Sequence, residues 1–267
     1  MKNMFSFPAL IGETSLGLVK NVGQWGVFSL SALAGAVHIR QLFPKVLQNI
    51  HFIGFKSLNI IILVAFFTGM VLGLQGYYTL IKFSAEGMLG VAVALSLVRE
   101  LGPVLTAIML IGRAGSSISA EIGIMRISEQ IDALTTMNID PVRYLVTPKM
   151  LASFICFPLL TAVFDCVGIL GGYFSSMLLS SRSGIFFSKI QSSLLLEDVT
   201  GGFVKSFVFS FIVITISCYC GYFTHLNQAS AGAQGVSNST TSAVVQSIFI
   251  VIVVDAVAAL FCMEMGW

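Results

Sequence analysis

The chain has 267 residues, of which 56% are hydrophobic and only 10% charged, with a mean hydropathy of +0.94 and a net charge of +2. A soluble domain carries about 25% charged residues, so this composition cannot cover a water-facing surface and the bilayer must serve as solvent. The small net charge and the lack of any basic run exclude nucleic acid as a partner.

At roughly 20 apolar residues per spanning helix, the length allows about five or six spans and no large soluble domain. The first residues lack the order of a signal peptide, so insertion is expected through the spans themselves. Residues 22–39 are uncharged but interrupted by Gly23, Gly26 and Gly35, and their periodicity leaves open whether they span. Residues 42–56 mix Lys45, Gln48, Asn49 and His51 with Leu47, Ile50, Phe52 and Phe55, a pattern suited to a helix in the interface. The chain therefore divides into an N-terminal interfacial segment, 1–55, and a membrane domain, 56–267.

Five apolar stretches follow, at 57–81, 87–122, 150–180, 199–224 and 241–263. The second and third exceed a bilayer's thickness and must tilt, kink or project into water. Lys and Arg fall eight on one side (Lys2, Lys20, Arg40, Lys45, Lys56, Arg126, Arg143, Lys149) and three on the other (Lys82, Arg182, Lys189). This bias places the N-terminus and the 124–148 loop in the cytoplasm and the C-terminus outside. The 225–240 loop falls on the cytoplasmic side without a single Lys or Arg.

The 124–148 loop is the most polar segment. Ser128 stands as an N-cap before Glu129, Gln130, Ile131, Asp132, Ala133 and Leu134, with acids in the first turn and Asn138 and Asp140-Pro141 as the stop. A short amphipathic helix results, which reads either as a solvated connector or as a docking surface for a cytoplasmic partner.

Charged residues inside a bilayer usually pair or line a cavity. Arg99 and Glu100 lie within the second span and cannot pair tightly with each other, because adjacent helical residues diverge by about 100°. Pro103 offers no N–H to the carbonyl of Arg99 and kinks the helix there. This patch could hold a lipid headgroup, or it could pair across helices with Asp165, Lys205 or Asp255. The small-residue stripes Gly69/Gly73, Gly168/Gly172 and Gly112/Ser116/Ala120, together with Arg113 and Glu121, suit helix packing.

The five cysteines have no zinc spacing, the three histidines are scattered, and neither a nucleophile elbow nor a phosphate loop is present. No catalytic residue, metal site or cofactor is assigned to this chain. If ATP drives it, the nucleotide and its magnesium bind a separate subunit. The alternative from residues alone is an ion-coupled secondary transporter using Asp165, Asp255 and the Arg99-Glu100 pair, although no internal repeat supports it.

The runs Gly-Met-Val-Leu-Gly-Leu-Gln-Gly-Tyr (69–77), Leu-Val-Arg-Glu-Leu-Gly-Pro-Val (97–104), Gly-Arg-Ala-Gly-Ser (112–116), Ala-Glu-Ile-Gly-Ile-Met-Arg (120–126) and Glu-Gln-Ile-Asp-Ala-Leu (129–134) resemble the MlaE-type permease family. Ser84-Ala85-Glu86, Asp140-Pro141, Phe164-Asp165, 168–172, Lys205-Ser206 and 239–241 continue the resemblance over about residues 58–260.

The resemblance implies an all-α integral membrane protein with an N-terminal interfacial helix, five transmembrane helices and a cytoplasmic coupling helix between the second and third spans. It implies the permease of an ABC transporter in the bacterial inner membrane that moves glycerophospholipid and maintains outer-membrane lipid asymmetry. The implied partners are a second copy of the chain, a cytoplasmic ABC ATPase, a periplasmic ring of MCE-domain proteins and a STAS-domain regulator. By the same resemblance Arg99, Glu100 and Lys205 are polar pocket groups, Leu72, Leu80 and Phe83 contact acyl chains, and Glu129, Gln130, Asp132 and Leu134 couple to the ATPase. The lipid cavity would lie between two copies, lined by the first and second spans. One departure is Tyr144, where relatives often carry a basic residue.

Overall fold

The computed structural model describes residues 6–35, 39–179, 184–224 and 232–264. Among them all regular structure is helical. His38, Arg182 and the 225–231 part of the uncharged loop lie outside the described residues.

Helix α1 (Ser6–Ala34) and the amphipathic α2 (Ile39–Ile53) open the chain. Helix α2 buries Val46 and Ile53 and leaves Phe43 and Leu47 exposed. A single tight turn, Phe55–Ser57, joins it to α3 (Leu58–Leu80). The next stretch, Glu86–Ile127, contains α4 (Leu89–Ser96), α5 (Gly102–Leu110) and α6 (Ser116–Ile127), separated by two π turns at Leu97–Leu101 and Ile111–Gly115. Then come α7 (Gln130–Thr136), α8 (Pro141–Leu179), α9 (Gly184–Ser193), α10 (Leu196–Tyr222) and α11 (Ala233–Glu264). Five helical stretches are long and apolar enough to cross a membrane, and α1 is not one of them.

Two expectations are corrected. The loop drawn over 124–148 is shorter, because α6 runs to Ile127 and α8 already begins at Pro141. The Asp140 carboxylate accepts the amide N–H groups of Val142 and Arg143 at 3.0 and 3.4 Å, and Pro141 takes the first helical position. The dipeptide that stops α7 therefore starts α8, which continues through Pro148 and Pro158. Ser128, in turn, does not cap α7. Its hydroxyl donates to the carbonyl of Ile124 at 2.8 Å, closing α6, and Glu129 makes the turn with φ 58°.

Packing follows the small residues. A Cβ on Gly69 would strike the carbonyl of Gly168, and one on Gly171 would strike the carbonyl of Phe66, so α3 and α8 meet backbone to backbone. A second close approach sets Gly221 of α10 against Ser119 and Ile122 of α6. Helix α10 occupies the middle, packed on α5, α6, α8 and α11. Its most apolar stretch is 61% buried against 11% for α11, which makes α11 the peripheral helix of the single chain.

Candidate functional site

The first π turn builds the site. Pro103 leaves the carbonyl of Arg99 without its usual amide donor, and the Lys205 ammonium supplies the missing hydrogen bond at 3.2 Å. Lys205 reaches that carbonyl because Gly202, one turn earlier on α10, lies against the carbonyl of Val98, where a side chain would collide. A proline on one helix and a glycine on another thus bring a lysine into an apolar wall.

Four further charges assemble around it. Lys205 Nζ lies 2.5 Å from Glu100 Oε2 and 3.4 Å from Asp255 Oδ1 of α11. Arg99 Nε donates to Asp198 Oδ1 at 2.6 Å, and the other guanidinium arm contacts the same oxygen. Asp198 also caps α10, its Oδ2 accepting the N–H of Leu195 at 3.0 Å. The side chains of Arg99 and Glu100 are 45% and 44% exposed, whereas Lys205 and Asp198 are 6% and 3% exposed. One cation and one anion therefore face outward from a buried base and a buried acid. Three acids meet two bases, so the cluster carries one negative charge in excess when all are ionised. Nearby, Asp165 of α8 lies where a Cβ on Gly102 would fall, and its Oδ1 is buried without a hydrogen-bond partner among the described residues.

The residues expected at the site fare differently. Arg99, Glu100 and Lys205 come together. The pairing of Lys205 with Glu100 and Asp255 is the cross-helix alternative, present alongside half-exposed Arg99 and Glu100. The members come from the second, fourth and fifth spans. Leu72 and Leu80 on α3 are partly buried against the apolar core, while Phe83 at its end is 75% exposed. Asp198 was missed, although its acid-before-apolar position announces a helix start, because nothing local links it to an arginine 99 residues earlier.

Arg113 and Glu121 serve packing, but not with each other. Arg113 Nη1, from the second π turn, donates to the carbonyl of Phe52 at 2.7 Å and to the Ser57 hydroxyl, and its guanidinium lies over the Phe52 ring. It thereby caps the C-terminal end of α2, where carbonyls lack helical partners. Glu121 pairs with Lys149 of α8 at 2.7 Å. A Cβ added at Gly112 would have no atom within 4 Å among the described residues, so this glycine makes no close helix approach there.

Helix α7 buries Ile131, turns Leu134 inward and exposes Gln130 and Asp132. Asp132 accepts from Arg126 at 2.7 Å, and Glu129 is exposed in the preceding turn. The Lys45 ammonium of α2 lies 2.8 Å from the centroid of the Tyr144 ring. Among the described residues no group of three or more His, Cys, Asp or Glu is placed to hold a metal.

A family model described as Permease MlaE matches residues 46–261. A probable ABC transporter permease protein of Rickettsia bellii is 41% identical over 244 residues, covering 91% of this chain and 92% of that protein. The intermembrane phospholipid transport system permease protein MlaE of Haemophilus influenzae is 39% identical over 251 residues, covering 94% and 95%. The chloroplastic protein TRIGALACTOSYLDIACYLGLYCEROL 1 of Arabidopsis thaliana is 36% identical over 246 residues, covering 89% and 68%. The likeness thus reaches well into the first 55 residues, beyond the 58–260 range drawn from motifs.

Proposed function

The chain belongs to the MlaE permease family, and from that premise we propose that it is the membrane-spanning subunit through which an ABC transporter passes glycerophospholipid across the periplasmic face of the bacterial inner membrane. ATP hydrolysis belongs to a separate cytoplasmic subunit. The observation that carries the lipid reading is the charged cluster: a half-exposed Arg99 and Glu100 held in place by Asp198, Lys205 and Asp255 inside an apolar wall.

Such an arrangement suits a zwitterionic headgroup. Arg99 offers its guanidinium to the phosphate, and Glu100 offers a carboxylate to the amine. The single excess negative charge favours a head that brings a cationic amine over one that is purely anionic. Acyl chains follow the first span past Leu72, Leu80 and Phe83. The π turn is where the second span deforms most readily, since its backbone bonds are already irregular.

The remaining partners complete the assembly. A second copy of the chain closes the cavity, and α11, the least buried span, offers an apolar face for it through Val245, Phe249 and Ile252. Glu129, Gln130 and Asp132 present the coupling surface to the ATPase, with Leu134 anchoring α7 from below. An MCE-domain ring receives or delivers the lipid outside, and a STAS-domain protein regulates the ATPase. The exchange maintains outer-membrane lipid asymmetry.

Affinity purification of the chain in mild detergent, followed by mass spectrometry of proteins and lipids, tests this reading. Recovery of an ABC ATPase, an MCE-domain protein and glycerophospholipid is expected. Lipid movement in proteoliposomes that persists without ATP and collapses with the proton gradient would instead establish the ion-coupled transporter.

A further inference from the structure

A groove of about 450 Å³ opens between α1 and the cytoplasmic ends of α8 and α10, and shares no residue with the charged cluster. Its walls are Gly23, Val27, Phe28, Val142, Tyr222 and Phe223, with Gln24 and Ser31 as polar positions along α1. The volume falls in the range of small-molecule sites. The space exists because α1 withholds side chains, since nothing lies within 4 Å of a Cβ added at Gly23 or Gly26. The floor is aromatic: Phe28 is buried and packs against Tyr219, Tyr222 and Phe223.

The surroundings of this groove are basic. The Arg126 guanidinium lies 5.6 Å above the ring of Tyr222. Arg143 follows the lining residue Val142 and is exposed, and its Cγ lies close to where a Cβ on Gly35, just past the end of α1, would fall. Lys20, exposed, shares the helix face of Gly23 and Gln24 by its spacing of three and four. Among these described residues, Asp132, paired with Arg126, and Asp140, which caps α8, offset two of the three charges and leave one positive charge around the groove.

We infer that this groove binds one acyl chain of an anionic phospholipid from the cytoplasmic leaflet, with the lipid phosphate at Arg143. Three features select that occupant. The groove lies where the lysine and arginine distribution places the cytoplasmic boundary of the membrane. An apolar slot with a net positive mouth between membrane helices is the arrangement that takes acidic lipid heads. Gln24 and Ser31 lie along the side on which a glycerol backbone would run. The bound lipid fills the gap between α1 and the bundle, tying the N-terminal helix to α8 and α10. This inference does not depend on the transport reading, because none of these residues belongs to the charged cluster.

The test uses the full chain in nanodiscs of phosphatidylcholine containing phosphatidylglycerol, with retained lipid counted by native mass spectrometry after detergent washing. Gly23→Leu places a side chain in the groove and is expected to lose one lipid per chain relative to the wild type. Gly17→Leu, on the same helix with open space around it, is expected to lose none. Val27→Trp is a second plug at an exposed position and carries the comparison should Gly23→Leu not accumulate. Arg143→Gln removes one charge-assisted hydrogen bond and is expected to lower the preference for phosphatidylglycerol over phosphatidylcholine about tenfold. Plugged variants that keep the wild-type lipid count overturn the inference, as does loss of a co-purifying membrane protein in place of a lipid. An unchanged lipid preference in Arg143→Gln overturns the assignment of the headgroup.

Discussion

Lys205 holds two carboxylates and a carbonyl at once, and its removal leaves Glu100 and Asp255 without their shared cation. Breaking a buried ion pair from one side costs about 3–5 kcal/mol. Half-exposed Glu100 moves the expected cost of Lys205→Met toward the lower end, read as a reduced melting temperature in detergent. Adding Glu100→Gln should restore part of the loss by removing one unpaired acid, whereas simple addition of the two penalties would exclude this pairing. These charges were legible as expensive residues in an apolar stretch, and Pro103 foretold the free carbonyl. Which base would answer it was not legible, because that depends on Gly202 letting α10 approach a helix about 100 residues away in sequence. Asp198 illustrates the same limit. Its capping role is local and readable, and its arginine is not.

At the scale of elements, the α3–α8 seam rests on glycines whose missing side chains make room for backbone. Gly69→Ala drives a methyl into the carbonyl of Gly168, which cannot rotate away, and overpacking of this kind costs about 1–3 kcal/mol. Gly201→Ala, with open space around it, should be neutral or stabilising by about 0.5–1 kcal/mol through helix propensity. Equal effects of the two on thermal stability would refute the close-approach account. Arg113→Ala should free the end of α2, detected as faster amide hydrogen exchange over residues 50–57, while exchange in the α3–α8 seam stays at the wild-type rate. The glycine stripes at 69/73 and 168/172 could be read from spacing alone. Gly112 heads a stripe of the same spacing and has open space around it, so spacing identifies small residues without identifying their neighbour. The start of α8 escaped the sequence reading because Asp140-Pro141 serves as a stop and a start at once.

For the whole molecule, the five-span order and the exposed α7 place the proposed coupling surface at one end and the charged cluster within the bundle. Glu129→Gly together with Asp132→Asn removes both acids without straining the turn, because Glu129 already holds a positive φ. In the reconstituted complex, most stimulation of ATP hydrolysis should be lost while the chain inserts normally, and full stimulation would remove α7 from the coupling role. The class of the fold and its membrane solvent were readable from composition. The meeting of the second, fourth and fifth spans was not, since no local pattern specifies which of five apolar helices will touch.

The π turns at Leu97–Leu101 and Ile111–Gly115 carry one more consequence, for what deletions the chain can survive. Each turn stores one residue more than an α-helix needs over the same path. Deleting a residue from the first would heal the hydrogen-bond ladder locally and leave the path of everything after it unchanged. Ser119 and Ile122, some twenty residues downstream of the cut, would still face Gly221, whereas the same deletion within the regular α5 would turn them away by about 100°. The turn is in this sense the slack of the second span: it can be lost without disturbing how α6 finds α10, and what goes with it is the patch of Arg99 and Glu100.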